Sequence, residues 1–161
     1  MLYLTLKYVH VIAAIFLFGF GMGSYLYLIA ASRSENSQVI AHVARMVVRY
    51  DAWITTPAGF IQIITGYWLV TLTGLSIWSG WVLASLIIFI CVGALWLPVL
   101  VLQKRLQSLA EQAVESGRAL TSDFHAIYRA WFWLGVAGFS GMFVIVLMMV
   151  SKMTLVQWFA W

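Results

Sequence analysis

His10 lies just inside the first apolar stretch, in Lys7-Tyr8-Val9-His10, and is followed by Ala13, Ala14, Gly19, Gly21 and Gly23. Ionisable side chains inside membrane helices seldom lack a role. A neutral imidazole among small residues is a candidate ligand for a metal or a haem iron. Residues 10, 13, 14, 17 and 21 share one helical face. With each apolar stretch centred on the bilayer, His10 falls roughly 13 Å from the midplane. Met148 and Met149 of the last stretch fall at the same depth, and Met149 shares a face with Gly135, Gly138 and Met142. A His/Met pair is an established haem ligation, so His10 with Met149 or Met148 is one candidate cofactor site. The same three side chains are soft donors suited to Cu(I). The plainer alternative makes the methionines core filler and His10 a packed, hydrogen-bonded residue.

A second polar set comprises Lys7, Arg45, Asp51, His125 and Arg129. Asp51 and Arg129 come out at similar depth, roughly 16 Å from the midplane, which predicts an ion pair between the second and fourth helices. His42 and His125 come out at roughly 30 Å and 22 Å, an uneven match that favours headgroup-level histidines over a second haem pair unless helix tilt narrows the gap. Gln62, near mid-span, is expected to point inward to find a partner. Zinc-ligand spacing, a glycine-rich phosphate loop and a Ser-His-Asp order are all absent, so no residue is assigned a catalytic role.

The elements that position these residues follow from composition. The chain has 161 residues, 64% of them hydrophobic and only 9% charged. Soluble domains carry roughly 25% charged residues. Four stretches, about 8–31, 52–73, 81–103 and 129–150, are long enough to cross a bilayer. The expectation is an all-α polytopic protein, a four-helix transmembrane bundle occupying residues 1–161 as one domain. The first stretch is too long for a cleavable signal peptide. Arg33, Arg45, Arg49, Lys104, Arg105, Arg118 and Arg129 cluster in or beside segments 32–51 and 104–128, whereas Lys7 and Lys152 lie at the other ends. The positive-inside rule then places both segments in the cytoplasm and both termini on the opposite side. The basic balance reflects this topology and anionic headgroups, not nucleic acid. The lone Cys91 reads as inert packing.

Helix two is expected to start near Ser37, to carry an amphipathic lead-in, and to kink near Pro57 with Thr55 and Thr56 satisfying freed backbone groups. The short connection 73–80 makes helices two and three antiparallel neighbours, with Trp68, Trp78 and Trp81 as an interfacial belt. Helix three is expected to run to about Ser116 on a stripe of Leu106, Leu109, Ala110, Ala113 and Val114. Gly117 would follow as C-cap, with Thr121 or Ser122 capping helix four. Trp158 and Trp161 suggest a short interfacial tail. The small-residue pairs Gly19/Gly23 and Ala137/Gly141 suit close helix packing or room for a flat cofactor.

Several motifs, in order, resemble known families. Leu6-Lys7-Tyr8-Val9-His10-Val11, Ala44-Arg45-Met46, Thr56-Pro57, Gly66-Tyr67-Trp68-Leu69, Gly80-Trp81 and Phe124-His125-Ala126-Ile127-Tyr128-Arg129 resemble HemJ-type protoporphyrinogen IX oxidases. They also resemble copper-resistance D membrane proteins and a bacterial four-helix membrane family of unknown function. The oxidase resemblance implies haem b on His10, with Arg45, His125 and Arg129 as functional residues, in a bacterial inner membrane. HemJ proteins carry a helix-three lysine where this chain has Val82-Leu83-Ala84-Ser85. They also carry an Asn-Glu pair where this chain has Trp131-Phe132-Trp133-Leu134. The resemblance therefore carries the scaffold further than the activity. Three functions are open: a haem b protein with a redox role and a redox partner, a scaffold or homo-oligomer built on small-residue packing, and a copper-handling protein.

Overall fold

The computed structural model describes residues 1–160. Helix dominates because lipid offers the backbone no hydrogen bonds, so each segment must close its own ladder. Helix α1 (Leu2–Ile15) passes through a π-helical turn, Phe16–Phe20, into α2 (Gly21–Arg33). Helix α3 (Ser37–Tyr50) passes through a second π-helical turn, Asp51–Thr55, into α4 (Thr56–Leu72). Then come α5 (Gly80–Ser116), α6 (Ser122–Ser151) and the short α7 (Leu155–Phe159). Leu2–Arg33, Gly80–Ser116 and Ser122–Ser151 are each long and apolar enough to cross a membrane.

Local chemistry sets the ends. Asn36, not Ser37, caps α3, its side chain accepting from the amides of Gln38 and Val39. Gly117 ends α5 in the left-handed conformation at φ 63°, and the Thr121 side chain caps α6, as the sequence indicates. A capping box of Thr154 and Gln157 starts α7, which contains Trp158; Trp161 lies outside the described residues. The irregularity expected near Pro57 is the π-turn Asp51–Thr55. There the Thr56 hydroxyl donates to the Asp51 carbonyl at 2.8 Å.

Helix α5 packs along α6, α3 packs on α5, α2 on α3, and α1 on α4. The densest packing joins α2, α3, α5 and α6 through Leu28, Ile40, Ala44, Leu106, Phe124 and Trp131. Helices α4 and α5 are consecutive, yet they do not form the tightly packed hairpin that their short connection suggests. Helix α4 leans on α1 while α5 follows α6, and the two separate beyond the turn. The outer surface stays apolar, with Trp133, Phe143 and Val150 exposed, as a lipid-facing surface requires.

Close approach occurs at glycines other than most of those the spacing suggests. No heavy atom lies within 4 Å of a Cβ built on Gly19 or Gly23. At Gly135 a Cβ would fall on the Tyr25 ring, and at Gly141 it would stand 2.6 Å from Val92. Tyr25 is held there because its hydroxyl donates to the Phe132 carbonyl at 2.7 Å. Gly135→Ala should therefore cost about 1–3 kcal/mol through overpacking. Gly138→Ala, with no neighbour within 4 Å of its Cβ, should be nearly neutral. Thermal unfolding of the two variants in one detergent checks the contrast.

Candidate functional site

The separation of α4 from α5 leaves a cavity of about 310 Å³ between the long helices. Leu17 and Gly21 line it from the first rod, Gly59 and Phe60 from α4, Phe89 and Trp96 from α5, and Gly138 and Met142 from α6. Phe60, Ile63 and Leu97 of its lining are 64%, 53% and 61% exposed, so the cavity reaches the outer surface of the helices there. Its wall is apolar and aromatic except at one end, where Ser24, Asp51, Thr55 and Gln103 meet.

Asp51 is only 5% exposed. The Thr55 hydroxyl donates to its Oδ1 at 2.9 Å, and the Gln103 amide donates to its Oδ2 at 2.7 Å. Thr55 is one turn further along the same segment, and Gln103 lies on the buried stripe of α5 with Leu106, Ala110 and Ala113. Asp51 begins the π-turn Asp51–Thr55, a distortion frequent at functional sites. No cation pairs with it: Arg45–Glu111, at 2.7 Å, is the ion pair found among the described residues. An ionisable side chain inside a membrane bundle is a functional-site candidate by default, so this carboxyl marks a site rather than a packing detail. Nearby, the Trp131 indole nitrogen is buried without a hydrogen-bond partner, and its ring lines the same cavity.

The expected Asp51–Arg129 pair is therefore replaced by Asp51–Gln103. The reason is helical phase. Phe124, Trp131 and Gly135 form the inward face of α6, and Arg129 falls between them on the exposed side. His125 is exposed as well, edge-on to Phe124. Lys7 is exposed over the Tyr3 ring, and Arg45 is exposed on Glu111. The five residues proposed as a polar cluster thus do not gather; Asp51 alone is interior.

His10 sits on the other side of α4. Its Nδ1 lies 2.8 Å from the Thr65 hydroxyl, and its Nε2 lies 2.8 Å from the Gln62 amide nitrogen. Thr65 spends its own proton on the Ile61 carbonyl at 2.6 Å, so it accepts from Nδ1–H and leaves Nε2 to accept from Gln62. Gln62 thus finds the inward partner expected of it. A Cβ on Gly66 would stand 3.3 Å from the ring, so Gly66 lets the imidazole lie against α4. The ring thus has a hydrogen-bond partner at each nitrogen, both of them on α4. Met149 is 41% exposed and faces outward, while its neighbour Met148 is buried.

Sequence reasoning missed Gln103, Trp131 and the cavity. Gln103 carried a usable signal, since it lies three residues before Leu106 on the buried stripe. Two stability predictions follow from these contacts. His10→Phe strands the Gln62 amide and the Thr65 hydroxyl and should cost about 1–3 kcal/mol in thermal or denaturant unfolding. The Arg45–Glu111 pair is exposed, so Glu111→Gln should cost at most about 1 kcal/mol. Hydrogen bonds from Gln107 and Arg45 hold the Glu111 carboxyl below its ordinary value of 4.5. Its small contribution is then present above that value and fades as pH falls through the lowered one. Acid titration of unfolding, compared with Glu111→Gln, checks the sign.

Residues 4–153 match the family model described as "Predicted integral membrane protein (DUF2269)". No curated protein and no solved structure gives a significant match. The match spans nearly all of the chain and agrees with the three helices, among the described residues, that are long and apolar enough to cross a membrane. The chain belongs to the DUF2269 family of integral membrane proteins.

Proposed function

We propose that this protein binds a small amphiphile, drawn from the bilayer, in the cavity between its helices. The observation that carries this reading is an apolar cavity that reaches the apolar outer surface of the helices and ends at the buried Asp51. Ligand sites combine such apolar walls with a few polar groups that fix orientation.

The reading takes the chain as one four-span domain. Three crossings are Leu2–Arg33, Gly80–Ser116 and Ser122–Ser151. The fourth is α4 with its π-turn: α4 alone, 17 residues without a charge, covers about 26 Å. The charge distribution supports cytoplasmic 32–51 and 104–128 segments, with both termini opposite; the bacterial inner membrane rests on the family resemblance alone. Asp51 and Gln103 then lie near the cytoplasmic boundary, and His10 nearer the other.

The HemJ resemblance supports a different reading, a haem b protein with a redox role, and the copper-resistance D resemblance supports copper handling. Both lean on His10. Its engagement by Thr65 and Gln62, with Met149 turned outward, favours a structural part for that residue.

The test fills the cavity. Gly93 and Gly138 line it, and a Cβ at either meets nothing within 4 Å. Gly93→Leu and Gly138→Leu should therefore fold with wild-type thermal stability or better. Native mass spectrometry of protein extracted with mild detergent should find a small molecule retained by wild type and lost from both variants. Equal retention in all three would contradict the cavity reading.

A further inference from the structure

We infer that the head group taken by this cavity is a protonated amine, so that the ligand is an amphiphilic organic cation with its ammonium on Asp51; this rests on the cavity reading above. The inference turns on charge complementarity. Asp51 presents a carboxyl at the end of an otherwise apolar, aromatic wall; Thr55 and Gln103 donate to it, Ser24 lies beside it, and no cation pairs with it among the described residues. Thr55 and Gln103 fix its orientation and each uses one acceptor position, one on each oxygen. A carboxylate offers about four such positions, so acceptor capacity remains for a further donor. An ammonium supplies donors and the missing opposite charge together.

The other features of the cavity agree with that choice. Phe60, Phe89, Trp96 and Phe139 surround the apolar part of the ligand, and aromatic faces attract cations as well as hydrocarbon. Cations near Asp51 in the chain are exposed: Arg49 and Lys104 flank Asp51 and Gln103 on the outside, Arg129 lies on the outer face of α6, and Arg45 is held by Glu111. An anionic head would meet the Asp51 carboxylate directly and be repelled by it. A neutral head would fill the space but leave the charge unmatched.

The experiment measures binding of dodecylamine and its neutral counterpart 1-dodecanol to the full chain in lipid nanodiscs, by calorimetry. It compares wild type with Asp51→Asn, Asp51→Glu and Gly138→Leu. Asparagine keeps the acceptor for Thr55, and a rotated Gln103 amide can still pair with it, so this variant should fold. Losing one partner of a buried charge pair should weaken dodecylamine binding by at least about tenfold in Asp51→Asn. Binding of 1-dodecanol should change little, Asp51→Glu should retain amine binding, and Gly138→Leu should abolish binding of both. Should Asp51→Asn fail to fold, amine binding by wild type well above that of the alcohol, kept by Asp51→Glu, supports the inference on its own. Equal amine affinity in wild type and Asp51→Asn, or alcohol binding without amine binding, would overturn the cation while leaving the cavity reading standing. No binding of either probe to wild type would overturn both.

Discussion

A carboxylate held in the interior of an apolar bundle constrains everything around it. Asp51 must keep both oxygens hydrogen-bonded, since an unsatisfied polar atom in lipid costs several kcal/mol. Thr55 meets one oxygen and Gln103 the other. The Gln103 bond ties the α3–α4 segment to α5 at one end of the hairpin, where α3 packs on α5. Beyond that tie the two arms separate, because α4 is held instead on α1 by the Thr65–His10–Gln62 contacts. Two polar clusters on one helix, engaging different neighbours, thus hold the cavity open between them.

The helix distortions serve the same arrangement. The π-turns Phe16–Phe20 and Asp51–Thr55 lie against each other, on the two segments that border the polar end of the cavity. Each inserts an extra residue into the helical repeat and so rotates the face that follows. In the second segment, the Thr56 hydroxyl meets the Asp51 carbonyl. Gly135 admits Tyr25, Gly141 admits Val92 and Gly66 admits His10, so small residues bring helices together at defined points. Gly93 and Gly138 line the cavity and leave its space empty.

Much of this was legible in the sequence, because membrane constraints are severe. Apolar run lengths located the long helices, Gly117 and Thr121 marked real ends, and Gln62 was bound to seek a partner. The inward face of the first helix, with Ala13 buried and His10 half-buried, also followed from spacing. What failed was lateral. Depth alone matched Asp51 to Arg129, but depth does not say which way a side chain points. Arg129 occupies the exposed phase of α6. Nor does spacing foretell a π-turn or the divergence of two consecutive helices, which depend on packing among all of them.

The central claim is a cavity reached from the lipid and closed to water. The direct measurement is collisional electron paramagnetic resonance of a nitroxide on Gly93→Cys, in a Cys91→Ala background, in lipid vesicles. Position 93 lines the cavity with space at its Cβ, so the label should fit. The account predicts high accessibility to oxygen, which partitions into lipid, and low accessibility to a water-soluble nickel chelate. High accessibility to the nickel chelate would mean a water-filled path, and low accessibility to both would mean a closed, packed bundle; either result would contradict it.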